Sequence, residues 1–156
     1  MSIKQQIVDD MKAAMKSRAA DRLEVLRMVK ARMMEAEVSL RAAKGRDYEL
    51  EDAESIQVLT SYAKQRRDSI DSFRQAGRED LATKEEAELA LVQEYLPRQL
   101  PPEEVRRIVQ EAIAEARATS ARDLGAVMKL VMPRVKGAAD GKVVNRIAAE
   151  LLGGGK

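Results

Sequence analysis

The chain has no cysteine, no histidine and no tryptophan, and only one phenylalanine and three tyrosines among its 156 residues. Each absence removes a class of chemistry. Without cysteine there is no disulfide, thiolate nucleophile, zinc ribbon or iron–sulfur ligand, and the chain suits a reducing compartment. Without histidine there is no Ser-His or Cys-His pair, no His-ligated metal and no imidazole base. Long apolar runs are also missing. The opening MSIKQQIVDDMKAAMK is broken by charge every few residues, and no later stretch approaches the 18 apolar positions of a membrane span. A cytoplasmic protein, neither exported nor membrane-spanning, is the expectation. So is one without a cofactor, a metal, a small-molecule substrate or a catalytic residue.

With so few aromatics, the core must come from the Leu, Ile, Val, Met and Ala that make up most of the 45% hydrophobic fraction. That composition favours packed helices. Ile3, Ile7, Met11, Ala14 and Met15 recur at three- and four-residue spacing and mark a first helix. Leu23, Leu26, Val29, Met33, Ala36 and Leu40 mark a second, ended by Gly45. From Glu51 to Ala76 a heptad-like set, Ile56, Ala63 and Ile70 with Leu59, Arg66 and Phe73, predicts the longest helix, closed by Gly77. Thr83 with Glu86 reads as a capping box opening a helix to Tyr95. Val105, Ile108, Val109, Ala112, Ile113 and Ala116 predict the next. Ser120 with Asp123 caps another that ends at Pro133, and Asp140 caps a last one running to the triple glycine. No period-2 alternation stands out, so no sheet is expected.

Three of the four prolines fall in Leu96-Pro97-Arg98-Gln99-Leu100-Pro101-Pro102, a stretch that cannot be helix interior. The expected organisation is all-α: an N-terminal domain of about four helices over residues 1–95, a proline-rich linker over 96–102, and a smaller three-helix domain over 103–156. Charge follows the same division. The net charge is only +2, but residues 101–156 carry 10 basic and 7 acidic side chains against 18 and 19 before them. A local basic excess of this kind is a mild footprint of nucleic-acid contact.

The excess gathers where the last helix begins. Arg134, Lys136, Lys142 and Arg146 surround Gly137 and Gly141, and a helix N-terminus offers free N–H groups and partial positive charge to a phosphate. Lys142 and Arg146 are four residues apart and share a helix face. The alternative is an ordinary turn at Gly137 with a solvated basic surface, since Asp140 caps the same N–H groups and opposes an anion. Gly137 to Lys142 is not a nucleotide loop, because the glycine spacing is short and Val143 stands where Ser or Thr must hold magnesium. Glu85, Glu86 and Glu88, and likewise Glu49, Glu51, Asp52 and Glu54, are expected as first-turn charges favourable to the helix dipole. Arg66 on the apolar seam is expected to snorkel, with pairing to an acid of the neighbouring helix or the marking of a groove as alternatives, and the eight methionines are expected mostly to fill core.

Three strings, Glu94-Tyr95-Leu96-Pro97-Arg98-Gln99-Leu100, Asp123-Leu124-Gly125-Ala126-Val127-Met128 and Met132 through Asn145, resemble the GatB/YqeY family, and its stand-alone YqeY-like members in particular. Leu26-Arg27-Met28 and Gly77-Arg78-Glu79-Asp80-Leu81 extend the resemblance over nearly the whole chain. It implies a two-part helical protein whose C-terminal part is similar to the tail of the aminoacyl-tRNA amidotransferase B subunit. That tail contacts transfer RNA while the catalysis lies in other domains. The chain departs from the pattern at Ala126 and Ala138, where many relatives are basic, and at Lys129, where glycine is common. The implied role is a non-catalytic accessory that binds transfer RNA or a similar folded RNA through Lys129, Arg134, Lys136, Gly137, Gly141, Lys142 and Arg146. A protein–protein adaptor, docking through the long helix and exposed Met, Ile and Phe73, and an amidotransferase-associated component are the alternatives.

Overall fold

A computed structural model describes residues 1–153 of the 156. Helices run over Ile3–Lys16 (α1), Ala20–Lys44 (α2), Asp52–Gln75 (α3), Glu79–Gln93 (α4), Pro102–Ala116 (α5), Leu124–Val135 (α6) and Gly141–Leu151 (α7), with one 3₁₀ turn at Ala121–Asp123. Among the described residues there is no strand, so the protein is all-α. The chain divides into two compact units, Met1–Leu96 and the remainder from Pro97.

In the first unit α1 packs on α2 and α3 on α4. The core is built from Ile7, Val25, Leu26, Val29, Met33, Leu50, Leu59, Tyr62, Ala63 and Val92; of these, Ile7, Leu26, Val29, Met33, Leu59 and Ala63 are positions that the helical spacing places on one face. α1 starts at Ser2, whose hydroxyl accepts from the Gln5 N–H at 3.0 Å. α3 starts on a reciprocal Glu51/Glu54 capping box. Gly45 and Gly77 end α2 and α3 with φ of 111° and 73°, a region that side chains disfavour.

The buried carboxylate of Glu37, 5% exposed, fastens this unit. It accepts from Lys4 Nζ at 2.7 Å, Arg41 Nη2 at 3.0 Å and the Leu50 N–H at 3.1 Å. One side chain of α2 thereby ties down α1 and the loop into α3. Arg22 pairs with Glu94 at 2.9 Å, and the Tyr95 hydroxyl donates to Asp10, so the end of α4 is pinned to α1 and α2. Burial and the Asp10 carboxylate raise the Tyr95 phenol, which stays a neutral donor.

The second unit has a valine core: Val105 and Val109 on α5, Val127, Val131 and Val135 on α6, and Val144 on α7, each at most 1% exposed. Valine is a poor helix former. Its burial among three helices, joined by Ala112, Ile147, Ala148 and Leu152, offsets that preference. Val131→Ala would remove two methyl equivalents from a closed site, a loss of about 2 kcal/mol.

Several boundaries differ from the sequence reading. α4 begins at Glu79, not at the expected Thr83 box. Gly77 reverses the chain, Ala82 is fully buried, and the Ala82 N–H already bonds the Arg78 carbonyl at 3.1 Å. α4 also ends at Gln93, with Tyr95 and Leu96 in tighter turns. α6 continues past Pro133 to Val135; proline removes one N–H, but burial of Val135 holds the final turn. Pro102 opens α5 as its first residue, which suits a residue whose missing N–H has no helical partner. α2, with 25 residues, exceeds the 24 of α3. Of the triple glycine, Gly154 and Gly155 lie outside the described residues.

Three side-chain expectations are corrected as well. Arg66 does not snorkel but takes the alternative of pairing with the neighbouring helix: it donates to Glu85 at 2.7 Å and Glu88 at 3.4 Å and lies over the Tyr62 ring. Glu85, Glu86 and Glu88 are accordingly not first-turn charges but partners of α3, with Glu86 paired to Arg74. Half the methionines are outside the core: Met1, Met15, Met28 and Met34 are exposed.

Candidate nucleic-acid interface

The corner between α6 and α7 is built from short-range constraints. Lys136 ends α6, and Gly137 follows with φ 75°. The Ala138 and Ala139 N–H groups return to the Val135 carbonyl at 2.8 and 3.1 Å. Asp140 then caps α7, accepting from the Lys142 N–H at 3.2 Å. The segment before α5 locks this corner from outside. Gln99 Nε2 donates to the Gly137 carbonyl at 2.8 Å and to the Pro97 carbonyl at 3.0 Å. The Leu100 N–H bonds the Ala138 carbonyl at 2.8 Å, and Leu100 and Ala139 join the core.

Of the two glycines of the corner, only Gly137 has a structural duty. Gly137 is buried and supplies the positive φ. At Gly141 an added Cβ would meet Met132 Cε at 3.7 Å, an ordinary contact, so no close approach of backbone depends on that glycine. The Asp140 carboxylate occupies the N-terminus of α7.

The predicted basic residues occupy several surfaces. Lys136, Lys142 and Arg146 are exposed; Lys142 and Arg146 share a face of α7 with exposed Asn145. Lys129 is exposed on α6, about two turns before the corner. Arg134 turns away to α5, where it pairs with Glu115 at 2.6 Å. Arg146 meets a residue the sequence reading missed: with Arg106 of α5 it lines a hollow of about 550 Å³, completed by Pro102, Glu103, Ile147 and Glu150. The signal for Arg106 was weak, because Arg106-Arg107 could be placed beside α7 only once the packing was known.

Four of the seven acids of this unit are committed, and Glu103, Glu111 and Glu150 are in no ion pair among the described residues. Glu104 pairs with Arg98, and Glu115 with Arg134. Asp123 accepts from the Thr119 and Ser120 N–H groups, which hold its carboxyl below the usual range, and Asp140 is a cap. Arg106, Arg107, Arg117, Arg122, Lys129, Lys136 and Arg146 form no ion pair among the described residues. The first unit instead pairs Arg22, Arg32, Arg41, Arg66, Arg74 and Arg78 with its own acids. All the aromatic residues, Tyr48, Tyr62, Phe73 and Tyr95, also belong to the first unit. The second can offer charge and shape, but no aromatic ring for a base to stack on.

No helix among the described residues is long and apolar enough to cross a membrane. The chain is 30% identical over 148 residues to altered inheritance of mitochondria protein 41, mitochondrial, of Pyrenophora tritici-repentis, an alignment covering 92% of this chain and 77% of that one. The family described as Yqey-like protein matches residues 4–152, a span that takes in all seven helices, and the chain belongs to that family.

Proposed function

We propose that the second unit is an RNA-docking module that holds transfer RNA or a similar folded RNA by its phosphates, without catalysis of its own. The observation that carries this reading is the surplus of cations there: Arg106, Arg107, Arg117, Arg122, Lys129, Lys136 and Arg146 form no ion pair among the described residues, and only Glu103, Glu111 and Glu150 remain among the acids to offset them. Lys129, Lys136, Lys142 and Arg146 are the exposed donors proposed to meet phosphate. The absence of aromatic side chains from this unit favours recognition by backbone charge and shape over base readout. The resemblance to the amidotransferase tail points the same way, as a shared binding part without the parts that carry chemistry. Such a role belongs in an RNA-containing aqueous compartment, the cytoplasm or, as the relative's name suggests for that protein, a mitochondrion.

Mobility-shift titration of the full chain with bulk transfer RNA tests the reading. Four phosphate contacts give a slope of about −3 to −4 in log K against log salt. Joint reversal of Lys142 and Arg146 to Glu should abolish the complex at moderate salt. Absence of any complex at low salt would end the proposal.

A second reading, a protein adaptor, rests on Met28, Met34 and Val38 exposed on the outer face of α2 at 49%, 52% and 61%. Apolar side chains standing in water on one helix offer an anchor to a protein partner. On this reading Met34→Glu with Val38→Glu removes a protein crosslink in cells and leaves RNA capture intact. A reaction by the chain itself is tested by supplying glutamine, ATP and mischarged transfer RNA to the purified protein; turnover would overturn the non-catalytic reading.

A further inference from the structure

The hollow between α5 and α7 has a composition that phosphate binding alone does not explain. Its two arginines come from different helices, both are exposed, and neither forms an ion pair among the described residues. Two carboxylates line the same hollow of about 550 Å³. Glu103 precedes Arg106 by three residues and Glu150 follows Arg146 by four, spacings at which helical ion pairs commonly form, yet neither pair closes. The volume is within the range of about 300–1,000 Å³ typical of small-ligand sites, and Pro102 and Ile147 give it an apolar part. A site serving only a polyanion gains nothing from carboxylates, which repel it. A ligand that carries hydroxyl donors beside its phosphate uses both kinds of group.

We propose that this hollow is a ribonucleotide subsite, in which Arg106 and Arg146 take a phosphate while Glu103 and Glu150 accept hydrogen bonds from ribose 2′-hydroxyls. The assignment rests on the reading of the second unit as RNA-docking and deepens it, since it names the groups that tell RNA from other nucleic acids. The 2′-hydroxyl is the donor that DNA lacks. A hydrogen bond to a charged acceptor is worth about tenfold in affinity. Where the hydroxyl is missing, the same carboxylates are left facing phosphate and count against binding.

The test uses the full chain and a fluorescently labelled hairpin of one sequence, prepared as RNA and as 2′-O-methyl RNA, which keeps the A-form shape and removes the donor. Fluorescence anisotropy at fixed low salt should give the wild type a preference of about tenfold for RNA. Glu103→Ala with Glu150→Ala should bring the preference to about one, because the RNA loses its hydrogen-bond acceptors while the methylated hairpin is relieved of the facing carboxylates. Arg106→Gln with Arg146→Gln should weaken both hairpins by about tenfold. Thermal melting checks the folding of each variant. The single alanine substitutions, both on exposed helix surface, carry the same comparison where a double variant melts early. RNA binding with a preference that the alanine pair leaves unchanged overturns the subsite and leaves the docking module standing. RNA affinity unchanged by the arginine pair does the same. No binding of either hairpin or of bulk transfer RNA by the wild type overturns both.

Discussion

Removal of the Glu37 carboxylate should reveal how the first unit is held together. The side chain is 7% exposed, but its cationic partners Lys4 and Arg41 are 29% and 39% exposed, so water compensates them in part when the carboxylate is lost. Each ion pair is therefore worth about 0.5–1 kcal/mol, not the 3–5 kcal/mol lost on breaking a fully buried pair. The Leu50 N–H has no such recourse, because Leu50 is 5% exposed; leaving that donor unpaired costs about 1–3 kcal/mol. Glu37→Ala should therefore destabilise by about 3 kcal/mol, and Glu37→Gln, which keeps an acceptor for Leu50, by about 1–2 kcal/mol. Urea unfolding with an unchanged m value is the measurement. An alanine variant within about 1 kcal/mol of wild type, or a glutamine variant as unstable as the alanine one, would refute the reasoning. The acid limb gives an independent reading. The Lys4 hydrogen bond is the main force lowering the Glu37 carboxyl, ahead of the Leu50 N–H and the Lys4 and Arg41 charges and against the upward pull of burial. Its stabilisation is complete above the unfolded carboxylate value of about 4.3 and is lost as pH falls through the lower folded value. Glu37→Gln should lack that part of the acid-induced loss.

Two further changes follow from the geometry. Arg117 closes α5 in the left-handed region at φ 51°, so Arg117→Gly relieves about 1–2 kcal/mol of backbone strain against about 1 kcal/mol of added chain entropy, and a thermal melt should show a gain of about 0.5 kcal/mol. Arg66 and its partners Glu85 and Glu88 are each at most 22% exposed, whereas Arg74 and Glu86 are 46% and 45% exposed; Arg66→Ala should cost about 2–3 kcal/mol in urea unfolding and Arg74→Ala under about 1 kcal/mol.

What could be read in advance follows from which forces are local. The helix faces, the stops at Gly45 and Gly77 and the cap at Asp140 depend on residues within a turn of each other, and the order of amino acids displays them directly. The Thr83 box failed because a capping signature competes with burial: Ala82 is wanted in the core, so the helix starts a turn earlier with Arg78 as an uncapped lead. Pro133 failed as a stop for the same reason, with Val135 drawing the last turn inward. For Arg66 the sequence left snorkelling and an acid of the neighbouring helix both open, and could not name Glu85 and Glu88, because they lie 19 and 22 residues away on α4, a pairing that no periodicity announces. At the candidate interface the sequence showed which basic residues belong to the second unit, but not that they occupy several surfaces. That Arg134 is taken by Glu115, or that Arg106 sits beside Arg146, depends on how three helices pack, and spacing along one helix carries no information about that.

The residues by which the chain resembles its family do mostly structural work. Tyr95 and Leu96 fasten to the first unit, one through Asp10 and one in its core. Gln99 and Leu100 fasten to the corner of the second, Gly137 turns that corner, and Asp140 starts α7. Such residues keep a fold recognisable, but they are consumed in doing so, and a side chain already bonded inside its own chain is not available to a partner. On the reading proposed for the second unit, what would distinguish one member's partner from another's lies in the surface positions that the motifs leave open, here Lys129 on α6 and Arg106, Arg146 and Glu150 around the α5–α7 hollow. A relative 30% identical to this chain can keep every turn and cap while presenting a different charge pattern at those positions. Membership of the family accordingly fixes the scaffold, and the pattern of unpaired charge on it is where the partner is to be sought.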